Sequence, residues 1–311
     1  MILCCGDALI DFVPITAVDG REAVRPAVGG SCLNIAVGLA RLGTPTGFVG
    51  GISMDLFGRM IADHASASAV DLRHATRNEH QTTLAFVRIV AGESQYAFYD
   101  AETASANWTY RLGSIPFDAI EAVHIGSTTL VHERGAREAS ALIADAKGSV
   151  TISFDPNCRP NLVRDQQAYR MRMSAFADGA DLIRMSDVDF DYLFGDEAYA
   201  ARAESQLARG AGLIVITRGI KGALAWHSRA GLLEVGAPAV EVVDTIGAGD
   251  SFHAALLFAL REQGCLERVK LQAASANELR RALGFACQCA AITCTRAGAD
   301  PPRYSDVVRL W

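Results

Sequence analysis

The sequence lacks any apolar run long enough to cross a membrane. Its uncharged stretches, among them residues 251–260 and 282–295, are too short or too polar to span a bilayer. The N-terminal segment, MILCCGDALID, also lacks the basic residues that open a signal peptide and soon reaches an acid at Asp7. These absences predict no membrane partner, no export and a cytoplasmic location.

The chain also lacks any cluster of basic residues. It has 29 Lys and Arg against 35 Asp and Glu, a formal net charge of −6, and its basic residues are scattered. Nucleic acids and anionic membranes bind through concentrated positive charge. The charge pattern therefore argues against both partners.

Metal-binding spacings are missing as well. The eight cysteines form no CxxC pair and have no histidine at zinc spacing. Without an export signal they are expected to be free thiols in a reducing compartment. We therefore expect the cysteines to pack in the core.

What is present is an alternation of apolar runs and helical segments. The 311 residues, half of them hydrophobic, suit one large α/β core, and no repeat or linker divides the chain. A central, mostly parallel sheet with helices on both faces follows from this alternation, in a single domain spanning residues 1–311. The predicted strands are 2–5, 123–125, 150–154, 182–185 and 213–217, with an antiparallel hairpin at 222–235, and the predicted helices are 134–147, 166–177, 204–208 and 274–293.

The stretch DTIGAGDSFHAALLFAL, which begins at Asp244, carries the sharpest chemical signal. A β-branched run at 240–243 predicts a strand, Gly247 and Gly249 predict a turn, and a helix carrying Asp250 follows. This layout aims free backbone N–H groups at an anion. An acid beside an anion hole fits phosphoryl transfer, in which a base accepts the proton of the attacking hydroxyl. A tight turn with a first-turn acid that favours the helix dipole is the alternative.

The string DTIGAGDSF resembles the C-terminal signature of the ribokinase-like (PfkB) carbohydrate kinase family. The resemblance implies that Asp250 is the catalytic base and that Gly247, Ala248 and Gly249 form the anion hole. It also implies the ribokinase-like α/β fold with a small β-sheet lid, and ATP and Mg²⁺ as cofactors.

A second family motif occurs near the N-terminus as GGSCLNIAVGLARLG, where Ser31 can cap a helix. Gly29 and Gly30 allow a ligand to approach the backbone, and Asn34 offers a donor and an acceptor to a polyol. The resemblance implies that Gly30 and Asn34 contact the sugar and that Asp11 binds sugar hydroxyls. A surface acid after a strand is the alternative for Asp11.

Strand-like segments at about 12–28 and 82–100 are predicted to form the lid, with a hairpin turn at 91–94. In the resembling family such a sheet covers the sugar and is often the dimer contact, so we expect a homodimer through the lid. The segment ESQYAFYDAETASANW is close to fructokinase sequences, which places Phe98 beside the sugar. Packing in the core of the lid is the alternative role for Phe98.

The loop DPNCRPNL offers Arg159 as a fixed cation for a phosphate or an acidic group. DPN-x-R-P is typical of fructokinases and of 2-keto-3-deoxygluconate kinases. A keto-acid substrate would need a basic residue where this chain has Asp100. A neutral ketohexose, phosphorylated on a primary hydroxyl, is therefore the favoured substrate. The keto acid, ribose, nucleosides and a non-catalytic sugar-binding regulator remain alternatives.

Two further strand ends are predicted to bind the nucleotide. The family often has Asn-x-x-Glu where this chain has Ser186 and Asp189, which weakens a metal role for Asp189. The TRGIKG segment resembles the family's phosphate-binding T-x-G element, although a solvated Lys221 is an alternative. The predicted nucleotide-binding residues are Ser186, Thr217, Gly219, Lys221, Gly222 and Gly249.

The segment TRAGADPP resembles the family's C-terminal stretch beside the adenine and a monovalent-cation site. By the register of that resemblance, backbone carbonyls would hold potassium. The carbonyls concerned belong to Asp244, Ile246, Thr293, Arg296 and Gly298.

Overall fold

The computed structural model describes residues 1–90, 93–146 and 148–309, and describes only the backbone of residues 89–90 and 93–95. Two details of the sequence predictions lie outside these residues. They are Ala91 and Gly92 of the predicted hairpin turn, and Lys147 at the end of a predicted helix.

Buried apolar runs form the strands of one large sheet. In chain order these strands are β1 (Ile2–Cys5), β4 (Thr46–Val49), β9 (Ala122–Gly126), β10 (Thr151–Asp155), β11 (Leu182–Ser186), β12 (Leu213–Thr217), β13 (Ala223–His227) and β14 (Gly231–Val235). Their order across the sheet is β14-β13-β12-β11-β10-β9-β1-β4. Pairing is parallel from β4 to β12 and antiparallel in the β12–β13–β14 edge, as the sequence predicts.

Helices cover both faces of this sheet. They are α1 (Ser31–Arg41), α2 (Leu56–Ala67), α3 (Glu133–Ala146), α4 (Gln166–Asp178), α5 (Asp187–Phe194), α6 (Tyr199–Ala208), α7 (Ala248–Glu262), α8 (Arg268–Ala273), α9 (Ala276–Cys294) and α10 (Tyr304–Val307). Alternate residues of β1 point into two separate cores, one with α1, α7 and α9 and one with α3 to α6. This alternation buries both faces, which is why the strands are apolar throughout.

A second, smaller sheet stands apart from the large one. It consists of β2 (Leu9–Thr16), β3 (Glu22–Gly29), β7 (Thr83–Val90) and β8 (Glu93–Tyr99), in the order β3-β2-β7-β8. β2 and β7 pair in parallel, with Leu9 opposite Thr83, and join two hairpins from distant parts of the chain. A two-stranded parallel pair, β5 (Gly51–Ser53) with β6 (Thr76–Asn78), completes the strands of the described residues. We call the four-stranded sheet the lid.

The strand predicted at 240–243 is wrong. Residues 236–247 contain neither strand nor helix, and the valines at 240, 242 and 243 are exposed. The amides of Val243 and Asp244 donate to the carbonyl of Cys294 at the end of α9. β-branched residues favour an extended backbone, but a strand also needs a neighbouring strand to pair with. In the described part of the chain, residues 240–243 pair with no strand.

Several short helices were not predicted, and one helix was predicted too short. α5, α8 and α10 have no counterpart in the sequence predictions, and α6 begins at Tyr199 rather than at residue 204. α5 begins inside the Ser186–Asp189 stretch, which the family resemblance had assigned to ligand binding. Both α5 and α8 are short, so their periodicity is weak.

The cysteines behave as the sequence predicts. All eight are free thiols, seven are buried, and Cys294 is half-buried. Burial raises the pKa of Cys287 to about 11 and that of Cys289 to about 12, so neither is a ready nucleophile. In the described ranges no helix is long and apolar enough to cross a bilayer.

Candidate active site

A cavity of about 540 Å³ opens between the lid and the carboxyl edge of the large sheet. This is the edge at which ligands bind in open α/β folds, and the volume lies in the range of small-molecule sites. Among the predicted site residues, those that line the cavity are Asp11, Gly30, Asn34, Phe98, Arg159, Ile246, Gly247, Gly249 and Asp250.

The N-terminus of α7 forms one wall of the cavity. Gly247 is its N-cap and has a left-handed backbone with φ of 74°, where a Cβ would also lie 2.7 Å from that of Ala299. Gly249 lines the cavity, whereas the amide of Ala248 donates to the carbonyl of Thr245 within the turn. The turn therefore presents the glycine backbone of an anion site, with Asp250 in the first turn of the helix.

Asp250 is held by two donors from α1. The Ser31 hydroxyl donates to its Oδ1 at 2.6 Å, and the Asn34 side-chain amide donates to its Oδ2 at 2.8 Å. The predicted cap role of Ser31 is wrong, because Gly30 is the N-cap of α1 and the hydroxyl is engaged by Asp250. Burial raises the pKa of Asp250, and these two hydrogen bonds partly oppose the rise. The carboxylate is thus oriented and made more basic than an exposed aspartate.

Asp11 projects from β2 of the lid into the same cavity. Burial raises its pKa to about 7, and the charges of Asp7 and Asp250 add to the rise while Arg159 opposes it. Gly29 does not line the cavity: a Cβ there would lie 2.2 Å from the Asp11 carboxylate. The predicted close approach at Gly29 is therefore made by a protein side chain.

Asp7 is a cavity residue that the sequence did not single out for binding. Its Oδ1 accepts from the amide of Cys32, and its Oδ2 accepts from the hydroxyls of Ser127 and Thr128. Its carbonyl would lie 2.6 Å from a Cβ on Gly30, whose φ is 104°. Asp7 thus joins the end of β1 to the start of α1.

The lid contributes aromatic side chains to the cavity. Phe98 is half-buried, lines the cavity and stacks on Tyr96 with ring centroids 5.8 Å apart. Tyr99 points the other way and is 63% exposed. Asp100 lies outside this cavity and pairs with His132 at 2.6 Å.

Apart from Gly249, the predicted nucleotide residues lie at the carboxyl ends of neighbouring strands rather than in the cavity lining. Thr217 ends β12, and Gly219, Lys221 and Gly222 follow in a 3-10 turn. Gly219 and Gly222 have positive φ, and a Cβ on Gly222 would lie 2.0 Å from the carbonyl of Val235. The Lys221 side chain is exposed, which suits the solvated alternative.

Ser186 and Asp189 form a capping box on α5. The Asp189 amide donates to Ser186 Oγ at 3.0 Å, and Asp189 Oδ2 accepts from the Ser186 hydroxyl at 2.7 Å. Asp189 Oδ1 accepts from the amide of Cys158. Both carboxylate oxygens are engaged, so the structure gives Asp189 a structural role and leaves it poorly suited to bind a metal directly.

The residues predicted to hold potassium come from the loop before α7 and from the last turn of α9 with the loop that follows it. Asp244 Oδ1 accepts from the amide of Ile246 and Oδ2 accepts from the amide of Gly298, which ties the loops together. The Thr293 carbonyl accepts from the amide of Arg296 and the Gly298 carbonyl from that of Asp300, and each has a second lone pair for a cation. Carbonyl oxygens from these two tethered segments form a donor set that fits a hard monovalent cation.

Side-chain clusters typical of transition-metal sites do not occur in the described part of the chain. A larger groove of about 1260 Å³ lies between the lid, α3 and α4, and it shares only Phe98 with the cavity. It lacks the glycine turn and Asp250. We therefore assign the chemistry to the smaller cavity.

Several residues of the smaller cavity were not predicted to bind ligand. They are Asp7, Ser31, Tyr96, Thr128, Asn157 and Thr245. Two signals were present in the sequence: Ser31 and Asn157 lie inside motifs that had been recognised, GGSCLN and DPNCRP.

Comparison with known proteins agrees with this geometry. The profile for the pfkB family carbohydrate kinases matches residues 1–305. A fructokinase from Rhizobium leguminosarum bv. trifolii is 37% identical over 307 residues, covering 98% of this chain and 88% of that protein.

Two solved fructokinase structures are also similar. One, from Xylella fastidiosa with bound ATP, superposes with a TM-score of 0.89 at 28% identity, over 99% of this chain and 97% of that one. The other is a double mutant from Vibrio cholerae O395 in a fructose-, ADP- and potassium-bound form, with a TM-score of 0.83 at 27% identity, over 96% and 93%. The ribokinase-like fold predicted from the sequence is confirmed, and the chain belongs to the pfkB family of carbohydrate kinases.

Proposed function

We propose that this protein is an ATP-dependent fructokinase. The observation that carries the proposal is the placement of Asp250, a buried and doubly hydrogen-bonded carboxylate in the first turn of α7, directly beside the Gly247–Gly249 turn. The similarity to fructokinases along nearly the whole chain supports the choice of sugar. A neutral polyol also suits a cavity lined by carboxylates and an amide.

In the proposed reaction Asp250 accepts the proton of a primary hydroxyl of the sugar. The resulting oxygen attacks the γ-phosphoryl group of ATP in line, the bond from the γ-phosphorus to the β–γ bridging oxygen breaks, and ADP leaves. The glycine backbone at the start of α7 stabilises the charge that develops. Asp11 accepts hydrogen bonds from sugar hydroxyls, and the Asn34 oxygen remains free to accept one. Phe98 covers the sugar from the lid and helps to exclude water.

We further propose that ATP is bound with Mg²⁺ and that potassium binds the carbonyls of Asp244, Ile246, Thr293, Arg296 and Gly298. Mg²⁺ would accompany the ATP phosphates and neutralise part of their charge, as in other kinases. The potassium-bound relative from Vibrio cholerae supports the second cation. The phosphates are proposed to lie beside Ser186, Thr217 and the Gly219–Gly222 turn.

A keto-acid substrate, such as 2-keto-3-deoxygluconate, is disfavoured by charge. Asp7, Asp11 and Asp250 line the cavity with Arg159 as the cation facing them. The Arg159 guanidinium already donates to the carbonyls of Asn157 and Cys158. Asp100, paired with His132, offers a carboxylate no attraction either.

The test is a coupled assay of ATP consumption with fructose, ribose, 2-keto-3-deoxygluconate and adenosine, in the presence of Mg²⁺ and with or without K⁺. We expect turnover to be fastest with fructose. Sugar binding by calorimetry without turnover on any of these substrates would instead favour a non-catalytic sugar-binding regulator.

The Asp250→Asn variant tests the base directly. Because the amide cannot accept the hydroxyl proton, kcat should fall by on the order of 10²-fold or more while fructose affinity changes little. The matched control is Asp145→Asn, since Asp145 accepts hydrogen bonds from Tyr110 and Gly113 far from the cavity. Near wild-type kcat in Asp250→Asn would remove Asp250 from the role of base.

A further inference from the structure

Arg184 is a charged side chain buried beneath the active site. It lies in β11, its side chain is 5% exposed, and its Nη1 is 2.6 Å from Oδ2 of Asp155 at the end of β10. Burial alone would lower the pKa of Arg184, but the charge of Asp155 raises it, so the guanidinium stays charged. A buried ion pair of this kind stabilises a fold poorly, which invites a functional explanation.

The same guanidinium contacts the start of α7. Its nitrogens would lie 3.0 and 3.1 Å from a Cβ on Gly249, and its carbon lies 5.8 Å from the centre of the Phe252 ring. Gly249 has an ordinary helical backbone rather than a positive φ. A side chain at this position would therefore press on the guanidinium, which would have to move by a few tenths of an ångström.

Arg184 also contacts a predicted nucleotide-binding residue. Its Nη2 donates to the hydroxyl of Thr217, and its Nε, which is buried, has no hydrogen-bond partner among the described residues. The guanidinium thus links the end of β12 to the glycine turn of α7. One cation contacts both the anion hole and the element proposed to hold the phosphates.

A cation at this place is costly in the free protein. The N-terminus of a helix carries a partial positive charge, so a guanidinium beside it is repelled. Asp155 offsets this repulsion, and the charge of Asp250 also favours the charged guanidinium. An incoming phosphoryl group would meet the field of both the helix N-terminus and the guanidinium.

We propose that Arg184 is a positioning residue for phosphoryl transfer, which fixes the Gly247–Gly249 turn from below and adds a permanent positive charge to the anion hole. The proposal rests on the proposed kinase activity for its kinetic effect. The tight packing of Arg184 against position 249, which disfavours a side chain there, is independent of the sugar.

The experiment compares Arg184→Met, which removes the charge, with Arg184→Lys, which keeps it. We expect Arg184→Met to lower kcat/KM for ATP by about 10²-fold, and Arg184→Lys to recover at least about tenfold of that loss. The Kd for fructose without nucleotide should change by less than about threefold. The matched control is Arg170→Met, because Arg170 donates to the carbonyl of Tyr192 on the opposite side of the sheet from α7.

Combining these variants with Gly249→Ala tests the packing. In the wild-type background the new methyl group meets the guanidinium, so ADP–Mg²⁺ affinity and kcat should both fall. In the Arg184→Lys background the contact between the new methyl group and the guanidinium is absent. The loss of ADP–Mg²⁺ affinity and of kcat caused by Gly249→Ala should then be at least about tenfold smaller than in the wild-type background. Because Arg184→Lys keeps the charge opposite Asp155, this cycle remains decisive even where Arg184→Met fails to fold by near-UV circular dichroism.

Three results would overturn the proposal: unchanged ATP kinetics in Arg184→Met, equal losses in the Lys and Met variants, or additive effects with Gly249→Ala. A wild-type protein that binds ADP–Mg²⁺ but phosphorylates no sugar would contradict the proposed function alone. In that case the ADP affinities of the same variants still decide the role of Arg184.

Discussion

Ser31 controls the basicity of Asp250 at the scale of a single residue. Its hydroxyl donates to Asp250 Oδ1 and favours the ionised carboxylate, which lowers the pKa that burial has raised. The proposed base must be ionised to accept a proton, so activity is expected to fall when the pH falls through this pKa. The Ser31 hydroxyl, together with the Asn34 amide, thereby lowers the pH at which this loss of activity is expected.

We predict that Ser31→Ala shifts the acid limb of the kcat/KM profile to higher pH, by about one pH unit, and lowers plateau kcat by about three- to tenfold. The measurement is the pH–rate profile with fructose. Ser140→Ala serves as the control, because that hydroxyl bonds to the Ala136 carbonyl within α3. An acid limb that stays in place would contradict this role of Ser31.

Asp11 carries a cost in stability. Because its pKa is raised to about 7 in the folded protein, the proton is held more tightly there than in the unfolded chain. Its contribution to stability is therefore greatest at low pH and is lost as the pH rises through about 7. This loss of stability comes from placing the Asp11 carboxylate in a buried position where a sugar hydroxyl is proposed to reach it.

Asp11→Asn should therefore stabilise the sugar-free protein increasingly between about pH 4 and pH 7, by at most about 4 kcal/mol at pH 8. Urea unfolding at pH 5 and pH 8 measures this difference. Asp63→Asn, at an exposed position on α2, is the control and should show none of it. A gain of equal size at both pH values would contradict the raised pKa.

The main chemical residues could be predicted from short motifs, while their partners could not. Asp250, Asn34 and Arg159 lie in local patterns whose chemistry is visible in the sequence. The Ser31 hydroxyl donates to Asp250, which lies on a helix far along the chain. Only the packing of α1 on α7 brings these two residues together. For the same reason Asp7 resembled an ordinary acid after a strand.

At the scale of the element, the N-terminus of α7 depends on backbone conformation. Gly247 has a φ of 74°, which a residue with a side chain adopts only at a cost, and Ala299 occupies the adjacent space. Gly264, just beyond the other end of α7, has a φ of 68° with open space around it. Comparing substitutions at these two glycines therefore distinguishes the effect of backbone strain alone from the effect of damage to the anion hole.

Gly247→Ala should destabilise the protein by more than Gly264→Ala, which should cost about 1 kcal/mol. We also expect Gly247→Ala to lower kcat by at least about 10²-fold and Gly264→Ala to leave it unchanged. Thermal melts and steady-state kinetics on both variants provide the measurement. Equal kcat values would show that the turn tolerates displacement.

Elements were predictable where one local signal sufficed. Continuous apolar runs gave the large-sheet strands from β9 to β12, and the glycine-flanked segment gave α1. Residues 240–243 have strand-like composition yet lack a partner, and the capping box of α5 stands in a stretch that resembled a ligand motif. Pairing partners arise from tertiary contacts, which composition does not report. The capping box of α5 is local to Ser186 and Asp189, and it was missed because the same stretch was interpreted as a ligand motif.

At the scale of the whole molecule, the lid has an apolar face turned away from the cavity. Phe12 stacks on Phe86 with ring centroids 4.6 Å apart, and Tyr99 packs edge-on against Phe86. Tyr99 and Val24 are exposed on the lid. Exposed aromatic and β-branched side chains on a small sheet are typical of a subunit contact.

We predict a homodimer through this face, and Tyr99→Lys should convert it to a monomer by placing a charge in the contact. Light scattering coupled to size-exclusion chromatography measures the mass. Leu112→Lys, at an exposed apolar position outside the lid, is the control and should remain dimeric. A wild-type monomer, or a dimeric Tyr99→Lys, would contradict the prediction.

The parallel pairing of β2 with β7 has a consequence for folding. Leu9 lies opposite Thr83, so the lid closes a long loop that contains α1, β4 and α2. The entropy of closing such a loop is recovered only after the intervening body has brought both strands together. The half of the sugar site that carries Asp11 and Phe98 should therefore be the last part to assemble and the first to exchange its amide protons, and bound sugar should slow that exchange.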